Sequence, residues 1–281
     1  MISGAAKIAG VIGWPVAHSL SPRLHGFWLD HHGIDGAYIP MPVSPEHIEK
    51  AIASLPKLGF RGANVTVPHK IAAFNAADEL SNAAKAIGAV NTLICRDDGS
   101  IYGDNTDGYG FIANLKVGAP HWDPSFGTAL VLGAGGAARA VVWSLIDAGV
   151  RHVILTNRTE EKAHIIADDI EGKIDVLRWN NRQSAVPISS LIINTTSLGM
   201  TGKSALEMNL GGAEPTTVVT DIVYTPLETQ LLRDAASEGC QVVDGLGMLL
   251  HQAVPGFEAW FGVRPNVTPE LRAHVLAGLA R

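Results

Sequence analysis

The sequence predicts an α/β protein in two halves, each built on a mainly parallel sheet. Strand-like and helix-like runs alternate from end to end of its 281 residues. A second series of such runs starts at a strand, a tight glycine turn and a helix near residue 130. Alternation of this kind buries a sheet between helices.

In the first half "KIAGVIG" is a strand, followed by a helix starting near Ser21-Pro22, with Ser21 as N-cap and Pro22 at the first helical position. "GAYIPMPV" is a strand and "SPEHIEKAIASLPKLG" a helix, capped by Ser44 with Pro45 following. In "GANVTVPHK", Val65 and Val67 alternate with Asn64 and Thr66, which puts the two polar groups on one face of a strand. "KIAAFNAADEL" is a helix, and "AVNTLICRDDGSIYGDN" is two strands meeting at the turn Asp98-Gly99.

The second series runs from "TALVLGAGGAARAVVWSLIDAG" through "HVILTNRT", "EKAHIIADDI", "SLIINTTSLGM", "TVVTDIVYTP" and "TQLLRDAASEGCQVVDG". Two helical runs, "MLLHQAVPGFEAWFG" and "TPELRAHVLAGLAR", close the chain. The boundary between the halves is expected near Gly108 to Ala113.

Composition narrows the function. Hydrophobic residues make up 47% and charged residues 17%, the balance of a folded domain. A formal charge of −6 and no basic run argue against a nucleic-acid surface, so a small-molecule substrate is the expected partner. Cys95 and Cys240 belong to no metal or redox spacing and fit a reducing cytoplasm. The N-terminus lacks the charged start and long apolar core of a signal peptide, and no stretch is long enough to span a membrane. The eleven histidines show no zinc-type spacing; no metal is expected, and most should be surface or hydrogen-bonded residues. The six tryptophans are expected in the core or at its edge.

Gly133, Gly135 and Ala138 fit G-x-G-x-x-A between a buried strand and a helix. Gly133 permits the sharp turn, Gly135 lets a pyrophosphate approach the backbone, and Ala138 lets helix and strand pack closely. Free N–H groups at the helix start then meet the phosphates. The next strand ends at Asn157-Arg158-Thr159, about where an NAD-binding unit places its ribose-gripping carboxylate, roughly 20 residues past the turn. Arg158 stands there instead and can pair with a 2′-phosphate, with Thr159 and Lys162 assisting, so the expected cofactor is NADP.

The first half carries the polar groups a substrate needs. Ser19 and Ser21 beside a helix N-terminus suit a carboxylate. Asn91 lies inside an apolar strand, where its amide requires a partner, protein or ligand. "YGDNTDGYGF" gathers Asp104, Asn105, Thr106, Asp107 and Gly108 in one turn.

Taken together, "GWPVAHSLSPRLH", "NVTVPHK", "GAVNT", "GDNTDG", "GAGGAARA", "NRT" and "DGLGMLLHQA" occur in the order seen in the shikimate dehydrogenase family, which the chain resembles over nearly its whole length. The resemblance implies an N-terminal α/β substrate domain, residues 1–109 with 245–281. It also implies a Rossmann-type, doubly wound NADP-binding domain, residues 110–244, with a cleft between the two. It implies reversible reduction of 3-dehydroshikimate to shikimate with NADPH, a step of chorismate and aromatic amino acid biosynthesis.

By the same resemblance Lys70 and Asp107 are the catalytic pair, with Lys70 as acid/base. Ser19 and Ser21, helped by Thr66 and Tyr224, hold the carboxylate; Asn64, Asn91 and Gln252 bind ring hydroxyls; Val65 and Val67 take the core face. Gly133, Ala134, Gly135, Gly136, Ala137 and Ala138 cradle the phosphates. Gly245, Gly247, Met248 and Ile222 lie near the nicotinamide. A monomer or homodimer is expected.

Two departures bear on the site. His25 is followed by Gly26 where family members often carry Asn. Pro255 falls inside the helix carrying Gln252, and its ring would clash with the His251 carbonyl, which predicts a kink or break. Two alternatives stand beside the leading reading. One is a quinate/shikimate dehydrogenase using NAD or both cofactors. The other is a catalytically silent dinucleotide-binding sensor, which would need the glycine turn but not both Lys70 and Asp107.

Overall fold

The structure is a computed structural model that describes residues 2–279. It divides into two compact units, Met1–Thr106 with Gln252–Arg281, and Asp107–His251.

The first unit runs β1 (Lys7–Gly13), α1 (Ser21–His31), β2 (Gly36–Pro42), a 3-10 turn into α2 (Ile48–Ser54), β3 (Phe60–Val65), α3 (Lys70–Ala76), β4 (Glu79–Leu80), α4 (Asn82–Ile87), β5 (Thr92–Cys95) and β6 (Ile101–Asp104). Its sheet has the order β2-β1-β3-β5-β6-β4. β1 lies parallel to β2 and β3, while β5 is antiparallel to both β3 and β6. The short turn at Asp98-Gly99 permits only an antiparallel pair, and Gly99 accepts its φ of +86°. The register sets Asn64 directly opposite Thr92, and Thr92 opposite Asp104. Three separate stretches of sequence thereby end at one place.

Several local expectations change here. Leu20, not Ser21, is the N-cap of α1; Ser21 is its first residue and makes no cap bond. β3 stops at Val65, because Thr66 still donates to Ile12 O but Pro68 has no N–H to continue the ladder. Val67 is consequently 70% exposed and does not join the core, whereas Val65 does. Asn91 lies just before β5, not inside it. α3 ends at Ala76, and Glu79–Leu80 is a strand on the edge of the sheet. β4 and α4 were not expected at all.

The second unit opens with α5 (Asp107–Gly118), a helix that occupies the stretch expected as a boundary. It continues with β7 (Thr128–Leu132), α6 (Gly136–Asp147), β8 (Val153–Asn157), α7 (Glu160–Asp169), β9 (Ile174–Arg178), a 3-10 segment, β10 (Ser189–Asn194), β11 (Val218–Asp221), α8 (Gln230–Ser237) and β12 (Gln241–Val243). The sheet is wholly parallel, in the order β12-β11-β10-β7-β8-β9. Ala129 and Val131 face one apolar core and Leu130 and Leu132 the other, so both faces are covered. The strand order reverses between β7 and β10, and in such sheets ligands bind beyond the strand C-termini at that point.

Two helices close the chain, α9 (Leu246–Phe261) and α10 (Pro269–Leu276). The passage back to the first unit falls within α9, after His251, and not at residue 245. Its start is held in the second unit: Gly247 packs on Asn114, and Asn114 Nδ2 donates to Asp244 O at 2.7 Å. Of the expected kink or break at Pro255, a break is absent: α9 continues through it. Phe257, Trp260 and Phe261 are buried just beyond it, and burial of three aromatic rings outweighs one missing backbone bond.

Candidate active site

In the first unit the buried amides form one network. Asn64 Nδ2 donates to Asn91 O and to Thr92 Oγ1, both at 3.2 Å. Asn91 Oδ1 accepts from Thr92 Oγ1 at 2.9 Å, from Thr106 N at 2.9 Å and from Thr106 Oγ1 at 3.2 Å. Asn91 Nδ2 donates to Gln252 Oε1 at 3.4 Å, which brings the first turn of α9 within this unit to the same cluster. Of the predicted hydroxyl-binding residues, Asn64, Asn91 and Gln252 therefore meet. The hydrogen-bond polarity is set as well: Asn91 spends its oxygen on the protein and presents N–H, while Asn64 commits N–H inward.

The predicted catalytic residues attach to this cluster through the backbone. Lys70 is the first residue of α3, and its carbonyl accepts from Val90 N at 3.0 Å, one residue before Asn91. His69 precedes it, buried, with its ring Nε2 2.7 Å from Val43 O, which anchors the helix start. Asp107 directly follows Thr106 and begins α5.

Ser19 Oγ accepts from Ser21 N at 3.3 Å, a local turn. Ser21 is buried, and burial pushes the Tyr38 phenol well above its usual range. Tyr38 Oη donates to Asn64 Oδ1 at 2.6 Å. Thr66 is half-buried with its methyl against Gly13, where a Cβ would stand 2.6 Å away. His25 contradicts the expectation of surface or hydrogen-bonded histidines. It is fully buried, its nitrogens have no hydrogen-bond partner among the described residues, and its ring stacks on Tyr38 at 3.9 Å with 9° between planes. Burial lowers its pKa to about 3, and the Asn64 side chain opposes this only partly. Trp14 is likewise exposed, whereas Trp28 and Trp260 are core residues.

The sequence analysis names neither Tyr38 nor Thr92, and Thr106 only as one of five residues in a turn. A signal existed for Tyr38: a buried phenol needs a hydrogen-bond partner, and "GAYIPMPV" is too apolar to leave it in water.

In the second unit Gly133 has φ +114°, and a Cβ there would meet Thr195 Oγ1 at 2.7 Å. Fold geometry alone requires glycine at this position. Gly135 and Gly136 differ: a Cβ at either meets nothing within 4 Å, and Gly135 has an ordinary extended conformation with φ −95°. Nothing in the protein demands glycine there, but a phosphate lying against the backbone would. Gly135 is also the N-cap of α6 and offers no side-chain cap, so the first N–H groups of the helix point outward uncapped. Ala138 is fully buried and Ala134 and Ala137 half-buried. These residues fit a dinucleotide.

Arg158 and Lys162 are exposed at the end of β8 and the start of α7, and neither side chain has an ion-pair partner among the described residues. Asn157 Nδ2 donates to Thr159 O at 2.7 Å and shapes the turn, and Thr159 is the N-cap of α7.

At the ends of β10 and β11, Asn194 Nδ2 donates to Asp221 Oδ1 at 2.9 Å, and Asp221 also accepts from Val223 N and Thr229 Oγ1. Burial raises the Asp221 pKa against these bonds. The pair braces the loop bearing Ile222 and Tyr224; Asn194 and Asp221 were not predicted. Ile222 and Met248 pack on one apolar core, and Gly245 lies so close to the Ile222 carbonyl that a Cβ would stand 2.5 Å from it. Tyr224, predicted with the two serines, belongs to the second unit; burial raises its pKa.

The chain matches the shikimate dehydrogenase substrate binding domain over residues 11–93, shikimate / quinate 5-dehydrogenase over 123–222, and the shikimate 5′-dehydrogenase C-terminal domain over 245–269. It is 57% identical to the shikimate dehydrogenase (NADP(+)) of Paramagnetospirillum magneticum, over 98% of this chain and 100% of that one. The solved shikimate 5-dehydrogenase of Thermus thermophilus in complex with NADP(H) and shikimate is 35% identical, with TM-score 0.85, covering 97% of this chain and 99% of that one. The quinate dehydrogenase of Corynebacterium glutamicum in complex with NAD has TM-score 0.90 at 28% identity, covering 97% and 99%.

Proposed function

The chain belongs to the shikimate dehydrogenase family, and from that premise we propose that it reversibly reduces 3-dehydroshikimate to shikimate with NADPH. The observation that carries the substrate side is the Asn64–Asn91–Gln252 network, a set of amides buried in an apolar unit and turned to fixed polarity. On the nucleotide side it is the open space at Gly135 and Gly136.

NADPH supplies the hydride. The chain's own residues handle everything else. Ser19, Ser21, Thr66 and Tyr224 take the carboxylate, and Asn64, Asn91 and Gln252 the ring hydroxyls. As the ketone gains a hydride, negative charge grows on its oxygen; the Lys70 ammonium stabilises that charge and gives the proton. Asp107 orients the Lys70 amine and a substrate hydroxyl. Gly133 to Ala138 hold the pyrophosphate, while Asn157, Arg158, Thr159 and Lys162 hold the 2′-phosphate; a carboxylate at this strand end would repel it. Ile222, Gly245 and Met248 lie against the nicotinamide.

The test is nicotinamide absorbance with shikimate or quinate, each offered NADP or NAD. The expected result is turnover favouring shikimate with NADP. A preference for quinate with NAD would assign the chain to quinate oxidation, and no turnover in any pairing would leave a dinucleotide-binding sensor.

A further inference from the structure

Asp221 ends β11 with a carboxylate in a residue only 1% exposed. Every group bound to it is a neutral donor. Asn194 Nδ2 and Val223 N reach Oδ1 at 2.9 Å, and Thr229 Oγ1 reaches Oδ2 at 2.8 Å. Thr229 is the N-cap of α8, yet its hydroxyl makes no cap bond on its own helix and is committed to Asp221. The carboxylate therefore serves as an acceptor only, which is its ionised form. No ion pair reaches it among the described residues. Neutral hydrogen bonds hold a charge in place but do not cancel it, and in a protein interior such a charge is poorly screened.

Two neighbours define where that charge acts. Ile222 follows Asp221 in the chain, and its N–H donates to Asn194 O at 3.1 Å. Gly245 backs onto the same strand end: a Cβ there would lie 2.6 Å from Asp221 O and 2.5 Å from the Ile222 carbonyl. Ile222 and Gly245 are two of the residues proposed above to lie against the nicotinamide. That ring is neutral when reduced and positively charged when oxidised. The phosphates and the adenine are the same in both forms.

We infer that Asp221 acts on the bound nucleotide through its field: its buried, unpaired charge favours the oxidised ring over the reduced one. As hydride passes to the ketone carbon and a proton to the oxygen, Asp221 stabilises the side on which the ring is cationic. It thereby draws the bound equilibrium towards the alcohol. The inference rests on the proposed reaction and adds to it a preference for one redox state of the cofactor.

The experiment replaces the charge and keeps the shape. In Asp221→Asn the side-chain oxygen can still accept from Asn194 and Val223. Calorimetric titration without substrate gives Kd for NADP and for NADPH in wild type and variant, and a thermal melt checks that each is folded. The expected result is a ratio of Kd for NADP to Kd for NADPH that rises roughly ten-fold, the scale of one charge–charge attraction at a protein's effective dielectric. Asp221→Glu keeps the charge while shifting the hydrogen bonds, and its ratio should stay within about three-fold of wild type. Should Asp221→Asn not fold, Asp221→Ser removes the charge with a smaller group and is read by the same ratio. Equal changes in the two Kd values, or none, make the carboxylate only a brace for its loop and overturn the inference. A ratio in Asp221→Glu that moves as far as in the uncharged variant overturns it as well. Wild-type protein that binds neither nucleotide sinks the dinucleotide reading itself, a separate failure seen in the first titration.

Discussion

The Asn91 side-chain oxygen accepts the backbone N–H of Thr106 at 2.9 Å. One residue before Asn91, Val90 N donates to Lys70 O at 3.0 Å. One residue after Thr106 stands Asp107. The Asn91 side chain thus anchors the neighbour of Asp107, while the backbone N–H of the preceding Val90 holds the Lys70 carbonyl. Asn91→Ala leaves the Thr106 N–H buried without its acceptor, which costs ~1–3 kcal/mol of stability. Urea unfolding should show that loss, and kcat/KM for shikimate should fall with it. A variant of wild-type stability and activity would remove Asn91 from this role.

Lys70→Ala tests the proton donor. Loss of a positioned acid typically costs about 10²–10⁴ in rate, so kcat should fall by that factor with the KM for shikimate changed little. If turnover held near normal and only the KM rose, Lys70 would be a binding residue.

The two glycines of the phosphate turn should behave oppositely. Gly135→Ala meets open space in an extended conformation, so stability stays within about 0.5 kcal/mol of wild type while NADPH affinity drops. Gly133→Ala meets Thr195 Oγ1 at 2.7 Å with φ at +114°, and should lose ~1–3 kcal/mol before any nucleotide is added. Thermal melts paired with calorimetric NADPH titration separate the two. Loss of stability in Gly135→Ala would show that the turn, not the ligand, requires that glycine.

Arg158→Gln should weaken NADPH and leave NADH alone. A charge-assisted bond to phosphate is worth ~1.5–3 kcal/mol, an affinity loss of roughly ten- to a hundred-fold. Equal loss for both nucleotides in calorimetry would show that Arg158 does not read the 2′-phosphate.

His25 makes stability acid-sensitive. Folded, its pKa is about 3; unfolded, it returns to the ordinary histidine value of 6.5. Below pH 6.5 the unfolded chain binds a proton that the folded chain refuses, so stability declines as pH falls towards 3. Between pH 7 and pH 5 this amounts to ~2 kcal/mol. His25→Phe keeps an aromatic ring against Tyr38 and removes the proton uptake. Urea unfolding at the two pH values should show the wild type losing about 2 kcal/mol more than the variant. Equal losses would place the acid sensitivity elsewhere.

Much of this was legible in the sequence. The alternation of runs marked the α/β class, and β1 was located to the residue by "KIAGVIG". The glycine turn and Arg158 are local signals, because a strand, a turn and a helix start are all specified within about thirty consecutive residues. Other local readings went wrong where long-range contacts decide. Ser21 reads as a helix cap from its neighbour Pro22, yet Leu20 holds that position and Ser21 is buried as the first helical residue. Val67 was assigned to the core by a two-residue period that Pro68 ends.

By itself, then, the sequence determined the two sheets' class and the strand, glycine turn and helix start near residue 130, since those depend on periodicity and on chemistry carried by neighbouring residues. Only the tertiary structure decided that Asn64, Asn91, Thr106 and Gln252 share one network, that α9 runs through Pro255, and that His25 is buried against Tyr38. Each of those depends on strand register or packing between segments far apart in the chain. A one-residue slip in β3 against β5 would turn Asn64 to the other face of the sheet, and no local pattern records that choice.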